Sequence, residues 1–346
     1  MSNIRIMGVL TGLALVGIAL LYFRGPRWNR MSFIISAVVA LALLVVSVDP
    51  SSVNILRDVF GFGQFEYGRI VGILILSNLS TVFLVIYTNG KIDELKHLID
   101  RTMRAEALEM LCRPDTALPP NGIMIIIPAL NEADNLKILL PQIPRQACGL
   151  PVGVLVVDDG SDDGTKDVAI ANGCYLARLP INRGQGAALR VGYDVLLREN
   201  IRVGITMDAD NQHKPRDIEK MVAPILSQKY DLVVGSRILG SSERENRTRY
   251  LGVILFSPLV SWLTRVKITD CSSGFRAFDT TKIARLDLRQ DQYQSSEVLI
   301  TAAKKGLLVG EVPIHIDRRL HGMSRKGTDL AYGLFFLKAM AKSWWR

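Results

Sequence analysis

The stretch ITMDADNQHKP, residues 205–215, sets Asp208 and Asp210 two residues apart, directly after apolar and β-branched residues. Two carboxylates at a strand end, on a locally irregular backbone, can point into one cleft. Oxygen ligands of this kind suit a hard divalent ion, Mg2+ or Mn2+, with substrate phosphates completing its shell. Gln212 can add a further oxygen. A metal so placed would neutralise charge developing on a departing diphosphate. The competing role is capping, since a helix is expected to open at Pro215 and acids favour the start of a helix. Two other polar clusters stand in the same relation to apolar runs: IMIIIPALNE leads into Pro128, Ala129 and Glu132, and VGVLVVDDG ends on Asp158 and Asp159.

The elements that must position these residues follow from the runs themselves. IMIIIPA, VGVLVVDDG and VGITMDAD are continuous rather than alternating in hydrophobicity, and each precedes a helical pattern, beginning near Asn135, Gly164 and Pro215. Such runs suit strands buried on both faces of a mainly parallel sheet, so the fold class is α/β. In open sheets of this kind ligands gather at the carboxyl ends of the strands, and all three polar clusters fall there. A dinucleotide site is disfavoured, because Gly184 and Gly186 in NRGQGAALRVG are followed by Leu189 where a third glycine belongs. No Gly-x-x-x-x-Gly-Lys-Ser/Thr loop is present either.

Four further motifs follow in order: NRGQGAAL, GSR, TDCSSGFRAF and EVPIHIDRRLHGMSR. Together with IPALNE, VDDGSDDGT and DADNQH, they make residues 122–326 resemble a family 2 glycosyltransferase of GT-A fold, closest in type to the polyprenyl-phosphate sugar synthases. The resemblance implies that Pro128, Ala129, Glu132, Asp158 and Asp159 hold the donor nucleoside, for which carboxylates suit as acceptors of ring NH and ribose hydroxyl. Asp162 and Gly164 are read as turn formers. Asp208 and Asp210, supported by Gln212, would bind the metal and the donor diphosphate, with Asp210 catalytic. Arg183 is placed either near the nucleotide or on the solvated surface.

On the acceptor side the resemblance implies arginines, whose planar fork matches phosphate oxygens. Arg237 and Arg249 match the positions that cradle an acceptor phosphate, with Arg247 a weaker candidate. Arg276 and Asp270, flanking the SSGF turn, are expected either to pair with each other or to serve the site. The last motif of the family usually reads Arg-x-x-Gly-x-Ser-Lys. Here Arg319 opens RLHGMSR and Arg325 takes the lysine position, which preserves charge and changes geometry. The implied reaction moves a hexose from a UDP- or GDP-sugar to a polyprenyl phosphate with inversion. The alternatives are a family 2 transferase with a hydroxyl acceptor, which needs a base, and a non-catalytic membrane scaffold that retains the fold.

The chain has 346 residues, more than one such domain requires, and the surplus is N-terminal. Residues 6–23, 31–48 and 70–87 are free of charged side chains. Each is roughly 27 Å long as a helix, close to the thickness of bilayer hydrocarbon. Three membrane spans are expected, not a cleaved leader, since no small-residue cleavage pattern follows the first. The first loop carries Arg24, Arg27 and Arg30 without an acid; the second carries Asp49, Asp58 and Glu66 against Arg57 and Arg69. That asymmetry puts the N-terminus outside and the catalytic domain on the cytoplasmic face of the cell (inner) membrane.

A formal net charge of +9 suits an anionic leaflet, and no nucleic-acid module accompanies it, so nucleic acid is excluded as a partner. Cys112, Cys148, Cys174 and Cys271 show no framework spacing and read as reduced thiols. The expected layout is membrane region 1–90, an amphipathic connector and linker 91–121, the GT-A domain 122–328, and an interfacial C-terminal helix 329–346. The connector bears Ile92, Leu95, Leu98 and Ile99 at helical spacing and is expected to pack on the domain, with homo-oligomerisation as its other role. The stretch VILFSPLVSWLT and the tail with Trp344 and Trp345 look interfacial; the alternative for the tail is a terminal helix packed on the domain.

Overall fold

The computed structural model describes residues 3–24, 30–59, 68–243, 247–292, 294–318 and 329–345. It forms two compact units, Met1–Glu94 and Leu95–Arg346. In the first unit all three apolar stretches are helical: α1 (Asn3–Arg24), α2 (Arg30–Val48), the short α3 (Asn54–Val59) and the opening of α4 (Gly68–Glu109). Helices α1 and α2 meet through Gly8 and Gly12, where a Cβ would lie 2.2 Å from Ser47 Oγ and 2.8 Å from Leu44 Cδ2. Glycines four apart let backbones approach closely, as in helix pairs packed within lipid.

Elsewhere these helices present apolar side chains without protein cover, among them Leu10, Leu13, Ile73, Leu74, Phe83 and Ile86. Among the described residues one stretch, Ile73–Glu109, is long and apolar enough to cross a membrane, while Ile6–Gly17 and Ala37–Val48 are shorter apolar helices.

The third apolar stretch and the charged connector form one 42-residue helix. The only breaker between them is Gly90, and a lone glycine costs a helix only about 1 kcal/mol. The connector docks on the second unit, though not by the expected stripe. Ile92, Leu95, Leu98 and Ile99 are exposed, whereas Met103, Ala107 and Leu111, spaced four apart, are buried.

The second unit is built on an eight-stranded sheet. Its elements after α4 are β1 (Ile123–Ala129), α5 (Ala133–Leu139), β2 (Gln146–Ala147), β3 (Leu150–Asp158), α6 (Thr165–Ala171), β4 (Tyr175–Arg178), α7 (Gln185–Arg198), β5 (Val203–Thr206) and α8 (Ile218–Leu226). Then come β6 (Leu232–Ser242), α9 (Arg247–Thr264), β7 (Arg276–Asp279), α10 (Thr280–Ile283), α11 (Gln294–Lys304), β8 (Val309–Ile316) and α12 (Asp329–Trp345).

The strand order is β2-β3-β1-β5-β7-β6-β8, with β4 also on β3. β4, β3, β1 and β5 run parallel, while β7 is inserted antiparallel between β5 and β6. Alternate residues of β1 supply both faces. Met124 and Ile126 pack with Ala188, Val191 and Val195 of α7. Ile123, Ile125 and Ile127 pack with Leu136 of α5 and Met221 and Val222 of α8. Double-sided burial is why these runs are continuous rather than alternating.

Helix α12 packs inward through Phe336, Ala339 and Met340 and leaves Leu337 and Trp344 exposed. Helix α9 buries Val253 and Val260, and turns Leu251, Ile254, Leu255 and Trp262 outward.

Candidate functional site

After β1 the chain goes to β3 on one side, and later to β5 on the other, so a crevice opens above the carboxyl ends of β1 and β5. Asp208 and Asp210 follow β5 at that crevice. Asn211 turns the backbone with φ of 61°, and its amide is buried on α5, donating to the Asn135 carbonyl at 2.9 Å. Asn135 in turn donates to the Glu132 carboxylate. The opening motif and the Asp-x-Asp turn are therefore tied together through two asparagines that sequence reading passed over. The one signal in the sequence was the residue type, since Asn enters the left-handed region more readily than most.

Neither acid caps the next helix. The 3-10 turn Pro215–Asp217 has Lys214 at its cap position with no side-chain bond, and Asp210 Oδ1 instead accepts from Gln212 N at 3.2 Å. Around Asp208, Gln185 Nε2 donates to Oδ1 at 2.7 Å and His213 Nε2 lies 3.5 Å from Oδ2. The His213 ring is buried and stacks on Phe275 at 5.1 Å. A Cβ on Gly274 would stand 2.8 Å from both Asp208 oxygens, so the carboxylate occupies room that only glycine leaves. Gln212 donates through Nε2 to the Asp317 carbonyl at 3.1 Å, which makes its amide oxygen the atom it can offer a cation.

The turn bearing Gly274 also organises the acceptor candidate. Arg237, at the bend of β6, donates through Nε to Asp270 Oδ2 at 2.6 Å and through Nη2 to Ser272 Oγ at 3.3 Å. Asp270 is fully buried, and its other oxygen accepts from Ser272. Of the two alternatives for Asp270 and Arg276, mutual pairing is not seen: Asp270 pairs with Arg237. Arg276, whose register places it between Thr206 and Val234, spends its Nε on the Ser273 carbonyl at 2.9 Å. Burial lowers the Arg276 pKa from its ordinary value, opposed by the fields of Tyr193, Asp270, Cys271 and Asp208. Arg247 and Arg249 lie in the first turn of α9, with side chains outside the description, and Arg319 and Arg325 lie outside the described residues.

On the donor side Pro128 and Glu132 are partly exposed, and Ala129, Asp158 and Asp159 are buried. Asp158 accepts from Ser161 N at 2.8 Å and meets Arg178 Nε at 3.2 Å. Both oxygens of Asp159 accept backbone amides, Arg183 N at 2.8 Å and Gly184 N at 2.7 Å. Burial raises the Asp159 pKa, and those two amides oppose the rise. Asp163 accepts from Thr165 N and Ala133 N, at the starts of α6 and α5. Asp162 N donates to Asn131 Oδ1, which gives that segment the turn role expected of it. Arg183 is neither solvated nor alone, since Nη2 sits 3.2 Å from Asp291.

Among the described residues no three His, Cys, Asp or Glu side chains form a metal cluster by themselves. Asp208, Asp210 and the Gln212 amide oxygen could together offer a cation two carboxylates and an amide oxygen, a hard donor set that would leave positions for phosphate oxygens. The parallel strands β4-β3-β1-β5, extended through the antiparallel β7 to β6 and β8, make an α/β sheet of the GT-A glycosyltransferase type. That fold is shared with the crystal structure of glucosyl-3-phosphoglycerate synthase from Mycobacterium tuberculosis with Mn2+, UDP and glucosyl-3-phosphoglycerate, at TM-score 0.52 and 22% identity, over 64% of this chain and 80% of that one.

The family model described as glycosyl transferase family 2 matches residues 124–286. The UDP-N-acetylglucosamine–dolichyl-phosphate N-acetylglucosaminyltransferase of Methanococcus voltae is 31% identical, over 64% of this chain and 96% of that protein. The polyprenol monophosphomannose synthase of Mycolicibacterium smegmatis is 31% identical, over 64% and 88%. The chain belongs to glycosyl transferase family 2.

Proposed function

We propose that this protein is a membrane-anchored transferase that moves a hexose from a UDP- or GDP-sugar to the phosphate of a polyisoprenoid lipid, inverting the anomeric carbon. The observation that carries the reading is the turn 270–276. It holds the Arg237 guanidinium through Asp270 and makes room for the Asp208 carboxylate at Gly274, so a phosphate-binding cation and a metal-binding anion share one strand edge. The two relatives, one named for transfer to dolichyl phosphate and the other for synthesis of polyprenol monophosphomannose, support the same acceptor.

Asp208, Asp210 and Gln212 would hold Mg2+ or Mn2+, which supplies charge neutralisation to the leaving nucleoside diphosphate. Pro128, Ala129, Glu132, Asp158 and Asp159 form the donor side, the two buried aspartates also shaping the loops that close it. An acceptor phosphate oxygen attacks the anomeric carbon as its bond to the diphosphate breaks. With a second pKa near ~6, by analogy with protein phosphate esters, the phosphate is already anionic and no base is needed. Arg237, fixed by Asp270, binds that phosphate, and Arg249, Arg247, Arg319 and Arg325 are assigned to the same task by their motif positions.

Helices α1, α2 and the first part of α4 serve as three spans, with the catalytic domain on the cytoplasmic side of the cell membrane. The exposed apolar faces of α1 and α4 support spanning, and that of α9 supports contact with the headgroup region.

The test is transfer by the purified full-length protein from a panel of radiolabelled UDP- and GDP-sugars to polyprenyl phosphate. One donor is expected to label the lipid with Mg2+ or Mn2+ and none in EDTA. Asp210→Asn should lower turnover on the order of 100-fold or more, since metal stabilisation of leaving-group charge amounts to several kcal/mol. Equal transfer to free polyprenol, or full activity in EDTA, would overturn the reading.

A further inference from the structure

The Asp208 carboxylate is reached from outside its own loop by Gln185, whose Nε2 donates to Oδ1 at 2.7 Å. Gln185 opens α7, and its side chain is exposed, so close packing around the amide does not impose this contact. What fixes it is the backbone beneath. Gly184, with φ of 98°, gives its N–H to Asp159 Oδ2, as Arg183 gives its own to Oδ1. Gly186 N donates to the Asp291 carbonyl at 2.8 Å, and a Cβ at Gly186 would lie 2.1 Å from the Gln290 carbonyl oxygen, so this contact requires glycine.

The segment 290–291 is itself clamped. The Arg190 guanidinium, 4% exposed, donates to Asp291 Oδ1 at 2.5 Å, to the Gln290 carbonyl at 2.9 Å and to Asp100 Oδ1 of α4 at 2.6 Å. Arg183 Nη2 adds a contact to Asp291 Oδ2 at 3.2 Å. Charge-assisted bonds from a guanidinium that is itself buried hold position better than pairs exposed on both sides. The loop 183–186 is therefore pinned from both sides, with its one exposed amide directed onto the first aspartate of the metal motif.

We propose that Gln185 is a positioning residue for Asp208: it occupies one lone pair of Oδ1 and holds the carboxylate in the rotamer that a cation requires. The inference rests on the reading of Asp208 as a metal ligand. Hydrogen bonds that orient a ligand carboxylate typically govern metal affinity by roughly 10- to 100-fold. An amide suits the task because it donates without adding charge to a site that must stay anionic.

The experiment is Mn2+ binding to the full-length protein in detergent with UDP or GDP present, read as loss of the free-ion electron paramagnetic resonance signal. Gln185→Leu should weaken Mn2+ binding by ~10-fold or more, with the melting temperature unchanged. In an Asp208→Asn background the same substitution should have no further effect, because its influence runs through that carboxylate. Unaltered Mn2+ affinity in Gln185→Leu, or an equal loss in the Asp208→Asn background, overturns the proposal. If Asp208→Asn itself binds Mn2+ as well as the parent protein, the metal reading of Asp208 fails, and the inference about Gln185 fails with it.

Discussion

At the scale of single residues, the site is a set of charged groups whose freedom has been removed by neighbours. Arg237 is held at Nε by a carboxylate with no exposure to water, so its fork is oriented before any ligand arrives. Preorganisation of this kind reduces the side-chain ordering that binding would otherwise cost. Arg237→Lys should therefore recover little of what Arg237→Ala loses; both are expected to raise the apparent KM for polyprenyl phosphate ~10-fold or more, as a charge-assisted bond to phosphate contributes roughly 1.5–3 kcal/mol. Initial rates against lipid concentration, with donor affinity measured separately, check this.

Gly274 is the second such position. Gly274→Ala places a methyl 2.8 Å from both oxygens of Asp208 and must push the carboxylate away. Overpacking costs stability typically 1–3 kcal/mol, so a modest fall in melting temperature is expected together with a ~10-fold or larger fall in turnover. A variant that melts early and keeps full activity would show that the Asp208 position is not critical.

At the scale of elements, one exposed carboxylate ties two helices together. Asp163 accepts from the first turn of α6 through Thr165 N and from the start of α5 through Ala133 N. Although burial acts to raise its pKa, the hydrogen bonds from Thr165 and Ala133 hold it below the ordinary 3.8. A lowered folded-state pKa means that the stabilisation is present above the unfolded value and is lost as pH falls through the folded one. Asp163→Ala should cost about 1 kcal/mol near neutral pH, comparable to the loss of a side-chain acceptor for amides at a helix start. The gap to the parent protein should close progressively below about pH 3.8. Thermal melts of both proteins across that range test the sign as well as the size.

At the scale of the whole molecule, the prediction is topological. The first loop contains Arg24, Arg27 and Arg30 and no acid, and loops of that kind stay on the cytoplasmic side. Cysteine substituted for Arg27 should be shielded from an impermeant thiol reagent added to intact cells, and cysteine substituted for Ser52 should be labelled. The native Cys112 and Cys148, exposed on the second unit, should be shielded as well. The reverse pattern would put the catalytic domain away from cytoplasmic nucleotide sugars.

By itself, the sequence determined whatever depends on local pattern. Doubly buried parallel strands need uninterrupted apolar runs, so β1, β3 and β5 were legible, and with them the edge on which Asp158, Asp159, Asp208 and Asp210 fall. The helical course of the three N-terminal apolar stretches was legible as well, whereas among the described residues only Ile73–Glu109 is long and apolar enough to cross a membrane. Tertiary structure alone decided which charges meet. Asp270 lies six residues from Arg276 and 33 from Arg237, yet it pairs with Arg237, because antiparallel insertion of β7 carries the 270–276 turn past the bend of β6. Gln185 and Asp208 come from different loops, and Asp100 reaches Arg190 across 90 residues. Pairings of this range follow from strand order and helix docking, and residue spacing along the chain holds no record of them.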